Sequence, residues 1–270
     1  MTCALLIIDP QNDFCDPTGA LYVPGAENDM ERLGRFIATW RHRFSSIHVT
    51  MDSHHHWDIS HPPFWVDAEG NHPEPFSQIG IEDLSSGRWR TAAPSWQEHA
   101  ERYVATLHDS GRYQLTIWPP HCLLGSTGHA VYPWLFEELK QWESDVGRPV
   151  DFILKGTNVG TEHYSALRAE VPDPQDEGTS LNRALIERLT REDITRVFVA
   201  GEALSHCLAS TLLDLVEEVD AEAFSRFVLL RDCTSSVPGF EKLGDVFLGK
   251  MLHRGLRICN TDDFEDSLFK

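Results

Sequence analysis

Few residues in this chain are placed to do chemistry. Cys207 follows Arg196-Val197-Phe198-Val199-Ala200-Gly201-Glu202-Ala203-Leu204-Ser205-His206 and precedes Leu208 to Leu215, which reads as buried strand, tight turn and helix. A thiol at a helix start meets unpaired N–H groups whose dipoles favour thiolate, and the same groups could hold an oxyanion. The other reading of Cys207 is a small buried hydrophobe, the commoner fate of a free cysteine. Asp9, Asp52 and Lys155 each follow a short apolar run. Such an aspartate is a turn residue or a carboxylate aimed into a cleft, and such a lysine is an edge charge unless chemistry shares its face. Asp52-Ser53-His54 puts a carboxylate and an imidazole two residues apart, so in an extended segment both can reach one metal ion. His121, behind Pro119 and Pro120, is the natural third ligand. His55 and His72 read as surface residues.

These groups need a frame that brings distant positions together. Cys3 to Ile8, Ser46 to Met51, Val150 to Leu154, Val197 to Ala200, Arg226 to Asp232 and Leu256 to Cys259 are short, largely apolar runs, read as six strands. Helical spacing marks Glu27 to Phe44, Leu181 to Leu189, the stretch after Cys207, and Lys242 to Arg254. Strands alternating with helices predict an α/β fold with a parallel sheet covered on both faces, a single three-layer α/β/α domain over residues 1–270. Ligands of open parallel sheets lie at the carboxyl ends of the strands, where Asp9, Asp52, Lys155 and Cys207 all fall. From Asp67 to Arg112 the chain is rich in Gly and Pro, with one helix expected near Trp96 to Leu107. We read 67–112 as an insertion over the active edge, either a lid or an oligomer contact.

Bulk composition narrows the partners. The formal net charge is −19, from 42 acidic and 23 basic residues, which leaves no surplus of cationic groups for nucleic acid or an anionic membrane. No apolar run is long enough to span a bilayer, and Met1 to Asp9 lacks a basic leader and cleavage site. Six scattered cysteines without a C-x-x-C pair fit a reducing cytoplasm.

With these residues in hand, the chain resembles the nicotinamidase/pyrazinamidase branch of the isochorismatase-like cysteine hydrolases. The resemblance covers nearly all of the chain outside 67–112. It rests on Ile8-Asp9-Pro10-Gln11-Asn12-Asp13-Phe14-Cys15, Asp52-Ser53-His54, Trp118-Pro119-Pro120-His121-Cys122, Leu154-Lys155-Gly156 and Gly201-Glu202-Ala203-Leu204-Ser205-His206-Cys207. It implies Asp9, Lys155 and Cys207 as the catalytic triad and Asp52, His54 and His121 as metal ligands, with His61 or His56 as a fourth. The same pattern implies a six-stranded parallel, Rossmann-like sheet, and a non-proline cis peptide before Ala203. The N–H groups of Ala203 and Cys207 would form an oxyanion hole, and Phe14 and Trp118 would sandwich a ring. Where relatives carry aspartate or threonine, this chain has Leu204-Ser205, which points to a different pocket wall.

The implied reaction is hydrolysis of a small-molecule carboxamide, nicotinamide first, to the acid and ammonia. Asp9 takes the thiol proton, the thiolate attacks the amide carbon, and water hydrolyses the thioester. The implied cofactor is a divalent ion, zinc favoured over iron or manganese, which would hold a pyridine nitrogen. Alternatives are a metal-independent amidase of carbamoyl or ureido compounds, a metallohydrolase in which Cys207 is structural, and a binding protein without chemistry. Oligomeric state stays open, a homo-oligomer included.

Overall fold

The computed structural model describes residues 2–263. Its frame is a six-stranded parallel sheet of β1 (Thr2–Ile8), β2 (Phe44–Asp52), β3 (Asp151–Lys155), β4 (Ile194–Gly201), β5 (Phe227–Leu230) and β6 (Arg257–Cys259). The strand order across the sheet is β6-β5-β4-β1-β2-β3. The chain thus winds outward from β1 through β3, returns to the middle, and winds the other way from β4. A topological switch point lies between β1 and β4, the place where such sheets open a crevice at their carboxyl ends.

The central strands are apolar because both faces are covered. Cys3 to Ile8 and Val197 to Ala200 are at most 1% exposed, and each Leu, Ile, Val or Phe among them contributes roughly 1.5–3 kcal/mol of transfer free energy. Helices α1 (Ala26–Trp40), α2 (Gln97–Ser110), α3 (Pro133–Val146), α4 (Arg183–Thr190), α5 (Cys207–Glu218) and α6 (Glu241–His253) supply the main outer elements. The first crossover helix ends at Trp40, short of the expected Phe44. A 3-10 turn of Arg41–Arg43 intervenes, and Phe44, 2% exposed, pairs with Cys3 as the first residue of β2. Sheet pairing takes the residue that helical spacing had claimed.

Helix α3 is absent from the sequence reading, although its signals are there. Pro133 opens it, Gly147 at φ 70° closes it, and Leu135, Leu139 and Trp142 line its buried side. It packs on α1 where Gly34 makes room: a Cβ there would come within 2.9 Å of the Trp134 indole nitrogen.

The 67–112 stretch is built around a small core of its own. Ile59, Phe64, Trp65, Ile79, Leu84, Tyr103, Val104, Leu107, Leu115 and Ile117 form a second buried cluster, so this subassembly is wider than the expected insertion at both ends. Arg112 ties its end to the sheet layer through Asp214 of α5 at 2.9 Å. No helix among the described residues is long and apolar enough to cross a membrane.

Candidate active site and metal centre

Parallel register brings the polar residues to one edge. Asp52 and Lys155 are direct partners on β2 and β3, and Ile8 partners Gly201 on β4. Gly201 is required at that point: its φ is +110°, and a Cβ would lie 2.0 Å from the Ile8 carbonyl oxygen. The chain therefore turns tightly against the end of β1. It passes the cis peptide Glu202-Ala203 and reaches Cys207 as the first residue of α5.

Asp9, Lys155 and Cys207 meet in a buried group. Lys155 Nζ lies 2.9 Å from Asp9 Oδ2, 2.9 Å from Asp52 Oδ1 and 3.6 Å from Cys207 Sγ, and it donates to the His163 carbonyl at 2.9 Å. Asp9 is aimed by Thr50, whose hydroxyl accepts the Asp9 N–H at 3.0 Å and donates to Oδ1 at 2.6 Å. Burial opposes the charge on Lys155, but Asp52, Asp9 and the thiol raise its pKa well above the usual range.

The thiol departs from the sequence expectation. Position at a helix start suggested a thiol biased toward thiolate; burial instead pushes Cys207 well up, and the pull of Lys155 is opposed by Asp9 and Asp52. One cation faces two carboxylates, so the resting cysteine keeps its proton. Burial also raises Asp9, against the pull of Lys155. The Asp9 carboxylate faces both Lys155, 2.9 Å from Oδ2, and the Cys207 thiol, so it is the group able to take that proton.

Among the described residues, the backbone bonds of the Cys207 loop run from Leu204, His206 and Leu208, and none from Ala203 or Cys207. Ala203 and Cys207 both line the same cavity.

Next to this group three imidazoles converge. Ligand atoms of His54, His61 and His121 lie within 4.8 Å of one another. In each ring Nδ1 faces an acceptor: Asp58 Oδ2 at 3.1 Å for His54, the His55 carbonyl at 3.1 Å for His61, and the Pro119 carbonyl at 2.9 Å for His121. Nδ1–H donation turns Nε2 of His54 and His121 toward Asp52, and His61 Nε2 lies 3.4 Å from His121 Nδ1, the way metal-binding histidines are held by their other nitrogen. Asp52 Oδ2 is 3.1 Å from His54 Nε2 and 3.3 Å from His121 Nε2. Three imidazoles and one carboxylate suit a first-row divalent ion. His61 joins the cluster, whereas His56 is exposed. Burial, with His54 and His121 nearby, lowers His61 to about 2 and keeps it neutral.

Phe14, Trp118, Cys207 and His121 all line one cavity, completed by Glu162, Tyr164 and His206 among others. Phe14 stands edge-on to His121 at 5.4 Å between ring centres, and Trp118 to His206 at 5.2 Å. The open space is only ≈ 20 Å³, room for about one water, so a ring enters only as these walls part. Larger clefts elsewhere, such as one of ≈ 340 Å³ beside His99 and Asp173, contain none of this chemistry.

Sequence reasoning missed several members of the site. Gln11 staples the loop after β1 to the end of β2: its amide donates to the Asp52 carbonyl and accepts the Asp52 N–H, both at 2.7 Å. Thr50 and Asp58 could have been found by spacing, two residues before Asp52 and four after His54. Glu162, Tyr164 and His206 carry no such signal, since only the folded loops bring them to the cavity.

No family model matches the chain. Nicotinamidase of Escherichia coli (strain K12) is 27% identical over 214 residues, covering 79% of this chain and 76% of the relative. Over most of its length the chain is thus similar to nicotinamidases. Its fold is that of solved nicotinamidase and pyrazinamidase structures. The structure of yeast nicotinamidase matches with a TM-score of 0.65 at 18% identity, over 96% of this chain and 100% of that one. Pyrazinamidase of Pyrococcus horikoshii in complex with zinc matches with a TM-score of 0.57 at 21% identity, over 96% and 99% of the two chains.

Proposed function

We propose that the chain is a nicotinamidase, converting nicotinamide to nicotinate and ammonia through a thioester on Cys207. The observation that carries the reading is the meeting of Cys207, Asp9 and Lys155 beside three converging imidazoles and Asp52, next to an aromatic-walled cavity.

Asp9 accepts the proton of Cys207 as the sulfur attacks the carboxamide carbon. Lys155 offsets the negative charge that then sits on the Asp9, Asp52 and sulfur group. The N–H groups of Ala203 and Cys207 receive the oxyanion, and Asp9 returns its proton to the departing ammonia. A water, deprotonated by Asp9, cleaves the thioester and releases the acid. Phe14 and Trp118 hold the faces of the ring.

His54, His61, His121 and Asp52 would hold a divalent ion, for which zinc is our assignment. When bound, it supplies an electrophilic anchor for the pyridine nitrogen and so orients the amide. Six free cysteines are consistent with a reducing compartment, and we assign the chain to the cytoplasm.

Ammonia release from nicotinamide and from benzamide by metal-loaded protein tests the reading. Nicotinamide turnover with a loss of a hundredfold or more in kcat/KM for benzamide is expected. Equal turnover of both would remove the ring-nitrogen anchor, and turnover of neither would remove the substrate assignment.

A further inference from the structure

Ser235 grips the Cys207 loop on both sides of Ala203. Its carbonyl accepts the Leu204 N–H at 2.8 Å, and its own N–H donates to Glu202 Oε2 at 3.1 Å. Its hydroxyl reaches across to α1 and donates to Asp29 Oδ2 at 2.6 Å. The residues flanking Ala203 are thus fixed to one point, and that point is fixed to Asp29.

Two acids share this place with one cation. Glu202 is wholly buried and Asp29 is 2% exposed. Asp29 Oδ1 accepts from Arg32, whereas Glu202 Oε1 has no donor among the described residues; Ser235 binds both acids, and their carboxyl groups lie within hydrogen-bond reach of each other. Adjacent buried carboxyl groups facing a single guanidinium do not both ionise. Asp29 already receives two donors, Ser235 and Arg32, so it carries the charge and the proton belongs to Glu202.

We propose that Glu202 is a positioning residue, a neutral acid whose O–H donates to Asp29 and so holds the Ala203 N–H in place for the developing oxyanion. The proposal rests on the reading of Ala203 as an oxyanion donor. Burial, reinforced by Asp29, holds the Glu202 carboxyl well above the usual carboxylate range, in agreement with the geometry. The other titratable groups facing the pair are Arg32 on α1, Cys15 at the end of the short helix Asn12–Cys15, and Cys233 in the turn after β5. Burial pushes both thiols up, so they add no charge.

A proton kept by the folded state but released by the unfolded chain makes stability fall as pH rises above about 4.5. Glu202→Gln retains an N–H for Asp29 and an oxygen for the Ser235 N–H, without titrating; Glu202→Leu retains only the bulk. Steady-state kinetics on nicotinamide from pH 5 to 10, with thermal unfolding over the same range, separates them. Glu202→Gln should keep kcat within about threefold of the wild type and carry an alkaline limb displaced to higher pH. Glu202→Leu should lower kcat tenfold or more with KM within about twofold. The Tm gain of Glu202→Gln over the wild type should grow by on the order of 3 °C between pH 5 and 8. Equal kinetic damage in both variants, or a Tm difference that does not change with pH, would overturn the proposal. If the wild type does not hydrolyse nicotinamide, the substrate reading fails separately, and the Tm series still decides whether the shared proton exists.

Discussion

Asp52 and Lys155 are register partners on adjacent parallel strands, and their side chains meet at 2.9 Å. That bond uses only Oδ1 of Asp52. Oδ2 faces His54 and His121, so one carboxylate belongs to the thiol group and to the imidazole cluster together. Burial works against its charge, yet His54 and Lys155 hold Asp52 well below the usual carboxylate range. Asp52→Asn should therefore strip the metal and lower kcat at least a hundredfold even when metal is resupplied. Metal content by plasma emission, with kcat in excess zinc, checks this; recovery of full activity on adding zinc would show that Asp52 serves the metal alone.

His61 and His56 make opposite predictions. His61 offers Nε2 to the cluster while its Nδ1 is held by a carbonyl, and His56 stands in solvent. His61→Ala should weaken metal binding tenfold or more, and His56→Ala should leave it unchanged. Competition with a chromogenic chelator measures both affinities.

His206 sets a term in acid stability. Burial alone lowers it to about 3, so it is neutral when folded but protonates near 6.5 when unfolded. As pH falls below 6.5 the unfolded state binds the extra proton and stability is lost, by about 2 kcal/mol between pH 6.5 and pH 5. His206→Phe should remove that part of the slope. Urea unfolding at the two pH values gives the difference; an unchanged slope would mean His206 is not held neutral.

The tie between the small second core and α5 is also measurable. Asp214 is 1% exposed and receives Arg112 and Arg168. Arg112→Ala leaves Asp214 and the neighbouring Glu170 with one cation fewer. A loss of about 2 kcal/mol is expected in thermal or urea unfolding, discounted for the partial exposure of Arg112.

Much of this was legible in the sequence, for a physical reason. In a parallel sheet each strand ends on the same edge, so Asp9, Asp52, Lys155 and Cys207 could be placed together by finding four apolar runs and reading the residue after three of them and the helix start that follows the fourth. The metal cluster was less legible, because His61 and His121 arrive from loops whose paths no periodicity reports. The thiol's charge state was misread: helix-start position was visible, but the burial and the two carboxylates that oppose ionisation belong to the tertiary structure. Phe44 was given to a helix because local spacing cannot see its partner Cys3 on another strand. The Glu202–Asp29 pair likewise joins positions far apart in the chain.

The central claim, that the sulfur of Cys207 makes and breaks the amide, is tested most directly by Cys207→Ala with metal content determined alongside. The account predicts an unchanged ratio of bound metal and a loss of nicotinamide hydrolysis of at least a thousandfold. Retention of turnover in the metal-loaded variant would contradict it, and would move the nucleophile from the thiol to a metal-activated water.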